Sequence, residues 1–110
     1  MTGTIEQSYE AVQCHLARWQ GSEARLWEFI VSHDTLTLRL HFAGQRGNLH
    51  VICSSCLYLA APVYWDHCKV QLEPSEPDEG GPLFQLKDEE AGFLVTCRMV
   101  SIEENVVPVY

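Results

Sequence analysis

Apolar residues recur at helical spacing near the start of the chain. In the segment TIEQSYEAVQCHLARWQG, residues 4–21, successive apolar positions are separated by four, three, four and three residues. This spacing places them on one stripe of an α-helix. Thr4 and Gln7 have the spacing of a capping box, and Gly21 stands where a helix typically ends. The pattern therefore predicts one amphipathic helix. Its stripe comprises Ile5, Tyr9, Val12, Leu16 and Trp19.

After Gly21 the apolar period falls to two, which is typical of strands with one buried face. The residues predicted to be buried in two successive strands are Leu36, Leu38, Leu40 and Phe42, followed by Leu49, Val51 and Cys53. The loop GQRG, residues 44–47, would join these strands and pair Ala43 with Asn48. In that register His41 lies opposite His50.

An earlier strand is predicted to pair with the first of these. We place a two-residue turn at 33–34, although His-Asp is a poorer turn former than Asn-Gly. The resulting register buries Trp27, Phe29 and Val31. It also sets Glu28 opposite Arg39, which would form a favourable cross-strand ion pair.

The second half of the chain continues the alternation less regularly. Residues 67–73 alternate again, and antiparallel pairing with 49–53 would place Cys53 opposite Cys68. The segment 73–82 holds three prolines and two glycines, and it is predicted to be a solvated loop. A last hairpin is predicted over 84–99, around KDEEAG. The conformation of 55–66 stays open, and the tail at 104–110 is either an edge strand or a partner-binding end.

These elements predict a single α+β domain over residues 1–110. The N-terminal helix packs on one face of a mainly antiparallel sheet of five or six strands in meander order, which is a stable two-layer arrangement.

Charge and composition narrow the possible partners. The chain has 15 acidic and 7 basic side chains, for a formal charge of −8. Such a chain repels phosphate backbones, so we expect no nucleic-acid binding.

The apolar runs are too short to span a bilayer, and the N-terminus has no export signal, so we expect a cytoplasmic protein without a membrane partner. Five cysteines in a reducing compartment are expected to be free thiols.

One group of residues has metal-ligand chemistry. Cys53 and Cys56 have CxxC spacing. A zinc site would be completed by His67 with Cys68, or by His50 with one of these two residues if the strand curls there. Neighbours in a strand point to opposite faces, which argues against His67 and Cys68 sharing one ion. We therefore favour structural cysteines and expect no cofactor, with zinc binding and a redox dithiol as alternatives.

The polar sheet face is the other candidate. The residues considered as a ligand site or interface are Glu28, Arg39, His41, His50, Tyr64 and Trp65. Histidines can titrate near neutral pH, and aromatic residues are enriched at interfaces. A solvated outer face is the simpler alternative, because no nucleophile accompanies these histidines.

We expect a non-catalytic binding or assembly module, acting on a protein partner or by self-association through the polar sheet face, which also carries Leu26, Ile30 and Ile52. The alternatives are a small zinc protein that uses the Cys53 and Cys56 cluster, and a ligand binder or enzyme that uses the His41 and His50 face.

Overall fold

A computed structural model describes residues 5–6 and 9–106 of the protein. Helix α1 spans Tyr9–Arg18, and a 3-10 turn spans Val31–His33. The strands in chain order are β1 (Ile5–Glu6), β2 (Glu23–Ile30), β3 (Thr35–His41), β4 (Asn48–Ala60), β5 (Tyr64–Trp65), β6 (Gln71–Asp78), β7 (Gly81–Asp88) and β8 (Phe93–Val106).

The strands form one antiparallel sheet. Seven of them have the spatial order β5-β2-β3-β4-β8-β7-β6, and the two-residue β1 pairs with β8. The sheet therefore consists of two three-stranded meanders, β2-β3-β4 and β6-β7-β8, joined where the long strands β4 and β8 pair. The α+β class and the antiparallel sheet are confirmed. The prediction of five or six strands in one meander is wrong, because 64–65 and the proline-rich segment also form strands.

Helix α1 packs on the sheet against β6 and β8. Val12 and Leu16 are buried, and Trp19 is 6% exposed, so the helix buries the predicted apolar stripe at these positions. A helix of this length is stabilised mainly by such burial rather than by intrinsic propensity. Gly21 has φ 87°, the left-handed conformation that favours glycine after a helix.

The helix begins later than predicted. Residues 5–6 form β1, whose backbone pairs with Glu103 and Ile102 of β8. Backbone groups that are bonded to a neighbouring strand cannot also form helical hydrogen bonds, so Ile5 does not belong to the helix. The predicted capping box of Thr4 and Gln7 lies outside the described residues.

The β2–β3 hairpin differs from the predicted register at its turn. The 3-10 turn is followed by Asp34, which has a left-handed φ of 48°. Aspartate tolerates this conformation better than most residues. The four-residue connection pairs Ile30 with Thr35, and a β-bulge between Leu26 and Glu28 shifts the register again.

Predictions that depended on the shorter turn are wrong. Trp27, Phe29 and Val31 are 40%, 41% and 76% exposed rather than buried. Glu28 lies opposite Thr37 instead of Arg39.

The predicted inward faces of β3 and β4 are buried, except that Phe42 follows the end of β3 and is only partly buried. The buried residues here are Leu36, Leu38, Leu40, Leu49, Val51 and Cys53. Their register is displaced by two residues, because the connection spans 42–47 and Leu40 pairs with Leu49. An even displacement keeps the same side chains facing inward. It does move His41, so the predicted pairing of His41 with His50 is wrong and Arg39 lies opposite His50.

The proline-rich segment forms most of strand β6 and the β6–β7 turn rather than a solvated loop. Strand β6 pairs with β7 and lies at one end of the sheet order. Proline is tolerated on such an edge strand because its missing N–H can face away from the sheet. The predicted hairpin after it is confirmed, with Phe84 opposite Cys97 and Leu86 opposite Val95.

The pairing predicted for Cys53 and Cys68 is wrong, because β4 pairs with β3 and β8. Both residues are buried nevertheless. The Cys68 N–H donates to the Ser22 carbonyl at 2.9 Å, and the Gly21 N–H donates to the Cys68 carbonyl at 2.8 Å. These bonds connect the stretch that precedes β2 with the stretch that precedes β6. No helix in the described part of the chain is long and apolar enough to cross a membrane.

Candidate functional site

The outer face of the sheet, which is the face away from α1, carries a groove near β2. Its volume is about 550 Å³, which lies within the range of small-molecule sites. Strands β2, β3 and β5 and the loop at 42–47 supply its walls. The lining residues are Glu23, Arg25, Trp27, Arg39, His41, Gln45, Arg46 and Tyr64.

The register of β2 and β3 determines which side chains enter the groove. Ala24 and Leu26 pair with the inward-facing Leu40 and Leu38. The intervening odd-numbered residues of β2 therefore point outward. Arg25 lies directly opposite Arg39 in this register, so the two guanidinium groups share one face.

Each of these arginines is stacked on an aromatic ring. The Arg25 Cζ lies 5.0 Å from the centroid of the Tyr64 ring, and the Arg39 Cζ lies 4.4 Å from the centroid of the Trp27 ring. Such cation–π contacts hold the guanidinium plane against the ring. Arg39 is 8% exposed and forms the floor of the groove, whereas Arg25 is exposed.

The Tyr64 ring is held in place by two carboxylates. Its hydroxyl lies 2.8 Å from Asp66 Oδ1 and 2.8 Å from Glu23 Oε1. Hydrogen bonding to Asp66, and then to Glu23, stabilises the protonated phenol and raises the pKa of Tyr64 well above its ordinary value. Tyr64 therefore stays neutral and serves as a fixed platform for Arg25.

Two histidines lie in or beside the groove. His41 Nδ1 is 2.6 Å from Asn48 Oδ1, so Nδ1 donates this bond and Nε2 remains the nitrogen available to a ligand. The His50 ring centroid lies 6.1 Å from that of Trp27. Burial, and then the positive charge of Arg39, lowers the pKa of His50, although Glu103 and Glu28 act in the opposite direction.

The groove concentrates positive charge on an acidic protein. Three of the seven basic residues line it, against a single carboxylate. The other four each form an ion pair elsewhere: Arg18 with Glu104, Lys69 with Glu90, Lys87 with Glu73 and Arg98 with Asp78. Within the described residues, Arg25 and Arg46 form no ion pair.

The structure brings together some of the candidate residues from the sequence. Arg39, His41 and Tyr64 line the groove. His50 lies beside it under Trp27, and Glu28 occupies the same face further along β2.

Trp65 is separate from the groove. Its indole N–H donates to Asp88 Oδ2 at 2.9 Å, and its ring packs against Phe93 with centroids 5.1 Å apart.

Sequence reasoning missed Glu23, Arg25, Trp27, Gln45 and Arg46 as lining residues. The predicted register of β2 is wrong by two or three residues and turned its odd-numbered residues inward. The charge of Arg25 was the one sequence signal that favoured an outward position. Arg46 was assigned only to a loop, where its direction could not be inferred.

The candidate metal ligands are not all in one place. Cys53 and Cys56 lie near Cys97: the Cys53 thiol is hydrogen-bonded to Cys97, and Cys56 is its cross-strand neighbour. Burial and the bond to Cys97 raise the pKa of Cys53, and burial raises the pKa of Cys56 to about 11. Cys68 has separate contacts, with its Sγ 3.2 Å from Ser22 Oγ.

His67, the fourth candidate ligand, is exposed. Among the described residues, no group of three or more His, Cys, Asp and Glu side chains is arranged to hold a metal ion.

Comparison with protein-family models, with curated proteins and with solved structures finds no match. The interpretation of the groove therefore depends on its own geometry and charge.

Proposed function

We propose that the protein is a non-catalytic binding module that holds an oxyanion, a carboxylate or a phosphate, between Arg25 and Arg39. The observation that supports this function is that Arg25 and Arg39 are direct cross-strand partners of β2 and β3 and that both line one groove. The planar guanidinium matches carboxylate and phosphate oxygens with paired hydrogen bonds.

The opposed arginines have a reason to bind an anion. Like charges directly across a strand pair repel each other and destabilise the sheet. An oxyanion between them would make an attractive contact with each guanidinium group. Arg39 is 8% exposed, and charge-assisted hydrogen bonds are stronger where water is largely excluded.

The aromatic platforms support the same function. Trp27 and Tyr64 fix the two guanidinium groups before any ligand arrives. Less side-chain entropy is then lost on binding than for a freely rotating arginine. The remaining lining groups, including the Gln45 amide and the His41 imidazole, can add hydrogen bonds to a polar ligand.

The test is a titration of the protein with inorganic phosphate and, separately, with acetate at fixed ionic strength. Two-dimensional NMR would follow the backbone amides, the arginine side chains and the Trp27 indole. We expect chemical-shift changes centred on the groove. Arg25→Gln should weaken binding by about tenfold or more, because one charge-assisted contact is lost.

A matched control separates local contact from net charge. Arg98→Gln makes the same change of charge on the β6–β7–β8 side, where Arg98 pairs with Asp78. The affinity of the Arg98→Gln variant for phosphate and acetate should stay within about twofold of the wild type, since exposed charges at a distance are screened by salt. The proposal is contradicted if neither anion shifts the groove resonances, or if both substitutions weaken binding equally.

A further inference from the structure

A third arginine enters the groove from a different element. Arg46 belongs to the 42–47 connection between β3 and β4, and it lines the groove together with Gln45. The connection turns sharply: the Gln45 N–H donates to the Phe42 carbonyl at 3.1 Å, and Gly44 has φ 86°. Positive φ is readily adopted by glycine, so this turn carries the chain back past the end of β3.

The three arginines are spread along the groove. Arg39 and His41 are two residues apart on the same face of β3, which corresponds to about 7 Å along the strand. Strand β3 ends at His41, and the backbone of Arg46 lies beyond that end. Arg46 therefore lines the groove from the loop that follows His41, while Arg25 and Arg39 line it from the strand pair β2 and β3.

A single small oxyanion would leave most of this space unused. The groove volume of about 550 Å³ is that of a site for a complete small molecule rather than for one carboxylate or phosphate group. Arg46 is exposed and has no ion pair within the described residues. The Arg46 guanidinium is therefore available to bind a second negatively charged part of a ligand.

We propose that the ligand is a small molecule with two oxyanion groups, such as a dicarboxylate, bound by Arg25 and Arg39 at one end and by Arg46 at the other. This inference rests on the proposed function, because the first oxyanion occupies the Arg25–Arg39 position. Between the two ends, Glu23 lies opposite His41 in the strand register. These side chains would face the middle of the ligand, where the negative charge of Glu23 favours an uncharged segment.

The experiment compares acetate with straight dicarboxylates from succinate to adipate, titrated at fixed ionic strength and followed by NMR. Joining two anionic groups at the correct spacing makes the second contact intramolecular. The best-fitting dicarboxylate should therefore bind at least about tenfold tighter than acetate. Its shifts should extend to the backbone amides of 45–46, which acetate should leave almost unchanged.

Arg46→Gln tests the second contact directly. This substitution should remove most of the advantage of the dicarboxylate while leaving acetate affinity within about twofold of the wild type. Arg98→Gln, with the same change of charge, should preserve the advantage. A blocked Glu-Glu peptide should bind more weakly than the best dicarboxylate. Tighter binding of the peptide would overturn the small-molecule assignment.

Two results would overturn the inference while leaving the proposed function intact. One is dicarboxylate affinity no greater than that of acetate. The other is an equal loss of acetate and dicarboxylate affinity in Arg46→Gln. Failure of every carboxylate and of phosphate to bind the wild type would instead overturn the proposed function.

Discussion

Arg25 and Arg39 face each other across β2 and β3, and like charges in such a position repel each other. A like-charge pair of this kind costs on the order of 0.2–1 kcal/mol relative to neutral residues. The cation–π contacts with Tyr64 and Trp27 offset a similar amount. The net effect on folding is small, so stability does not prevent the pair from being retained for the oxyanion that we propose it binds.

Arg39 also influences the titration of its cross-strand neighbour. Burial and the Arg39 charge lower the pKa of His50 below its ordinary value of 6.5. We expect the NMR titration of the His50 ring to have a midpoint below pH 6.5, and Arg39→Gln to raise that midpoint. Arg98→Gln should leave it unchanged. A His50 midpoint above 6.5 would contradict the described burial of its ring. A midpoint that does not respond to Arg39→Gln would contradict the placement of Arg39 beside it.

The same shift has a consequence for stability. The unfolded chain binds a proton at His50 more readily than the folded protein does, so the free energy of unfolding falls as pH drops. The contribution of neutral His50 to the free energy of unfolding begins to be lost below about pH 6.5. It is fully lost once the pH has fallen through the pKa of His50 in the folded protein.

At the scale of elements, the short strand β5 carries Tyr64 into the groove and depends on contacts outside the ladder. Its backbone pairs with β2 at Ala24 and Arg25. The buried Asp88 at the end of β7 accepts bonds from the Trp65 indole at 2.9 Å and from the Lys69 N–H at 2.7 Å. This carboxylate links β5 and the chain after it to β7.

Removal of this carboxylate should therefore be costly. Asp88→Ala removes the charged acceptor of two partly buried N–H groups, and we expect a loss of about 3 kcal/mol in the free energy of unfolding. Urea denaturation would show a lower midpoint with an unchanged slope. Glu89→Ala, at the neighbouring exposed position, should change stability by less than about 0.5 kcal/mol. Equal effects of the two substitutions would rule out the linking role of Asp88.

Comparison of elements shows what sequence patterns can predict in this chain. The inward faces of β3 and β4 followed from strict alternation, because burial on one face constrains parity strongly. The registers did not follow, since they depend on turn geometry at Asp34 and on the bulge beside Trp27. Arg39, His41 and Tyr64 could be named as candidates from the sequence. Their grouping with Arg25 and Arg46 required the observed register and loop path.

For the whole molecule, local and overall charge have opposite signs. The chain carries a formal charge of −8, yet the groove holds three arginines against one carboxylate. The overall field disfavours the approach of anions, and salt screens that field over about 10 Å. Affinity must then come from contacts inside the groove. This distribution favours a ligand selected by the geometry of its oxygens over one attracted by charge alone.

A crystal structure of the protein grown with selenate provides the most direct test of oxyanion binding in the groove. Selenate is a tetrahedral oxyanion, and anomalous scattering locates its selenium without ambiguity. We predict a selenium peak between Arg25 and Arg39, with selenate oxygens about 2.7–2.9 Å from guanidinium nitrogens. Selenium found only elsewhere, with the groove open to solvent and holding water alone, would contradict the account.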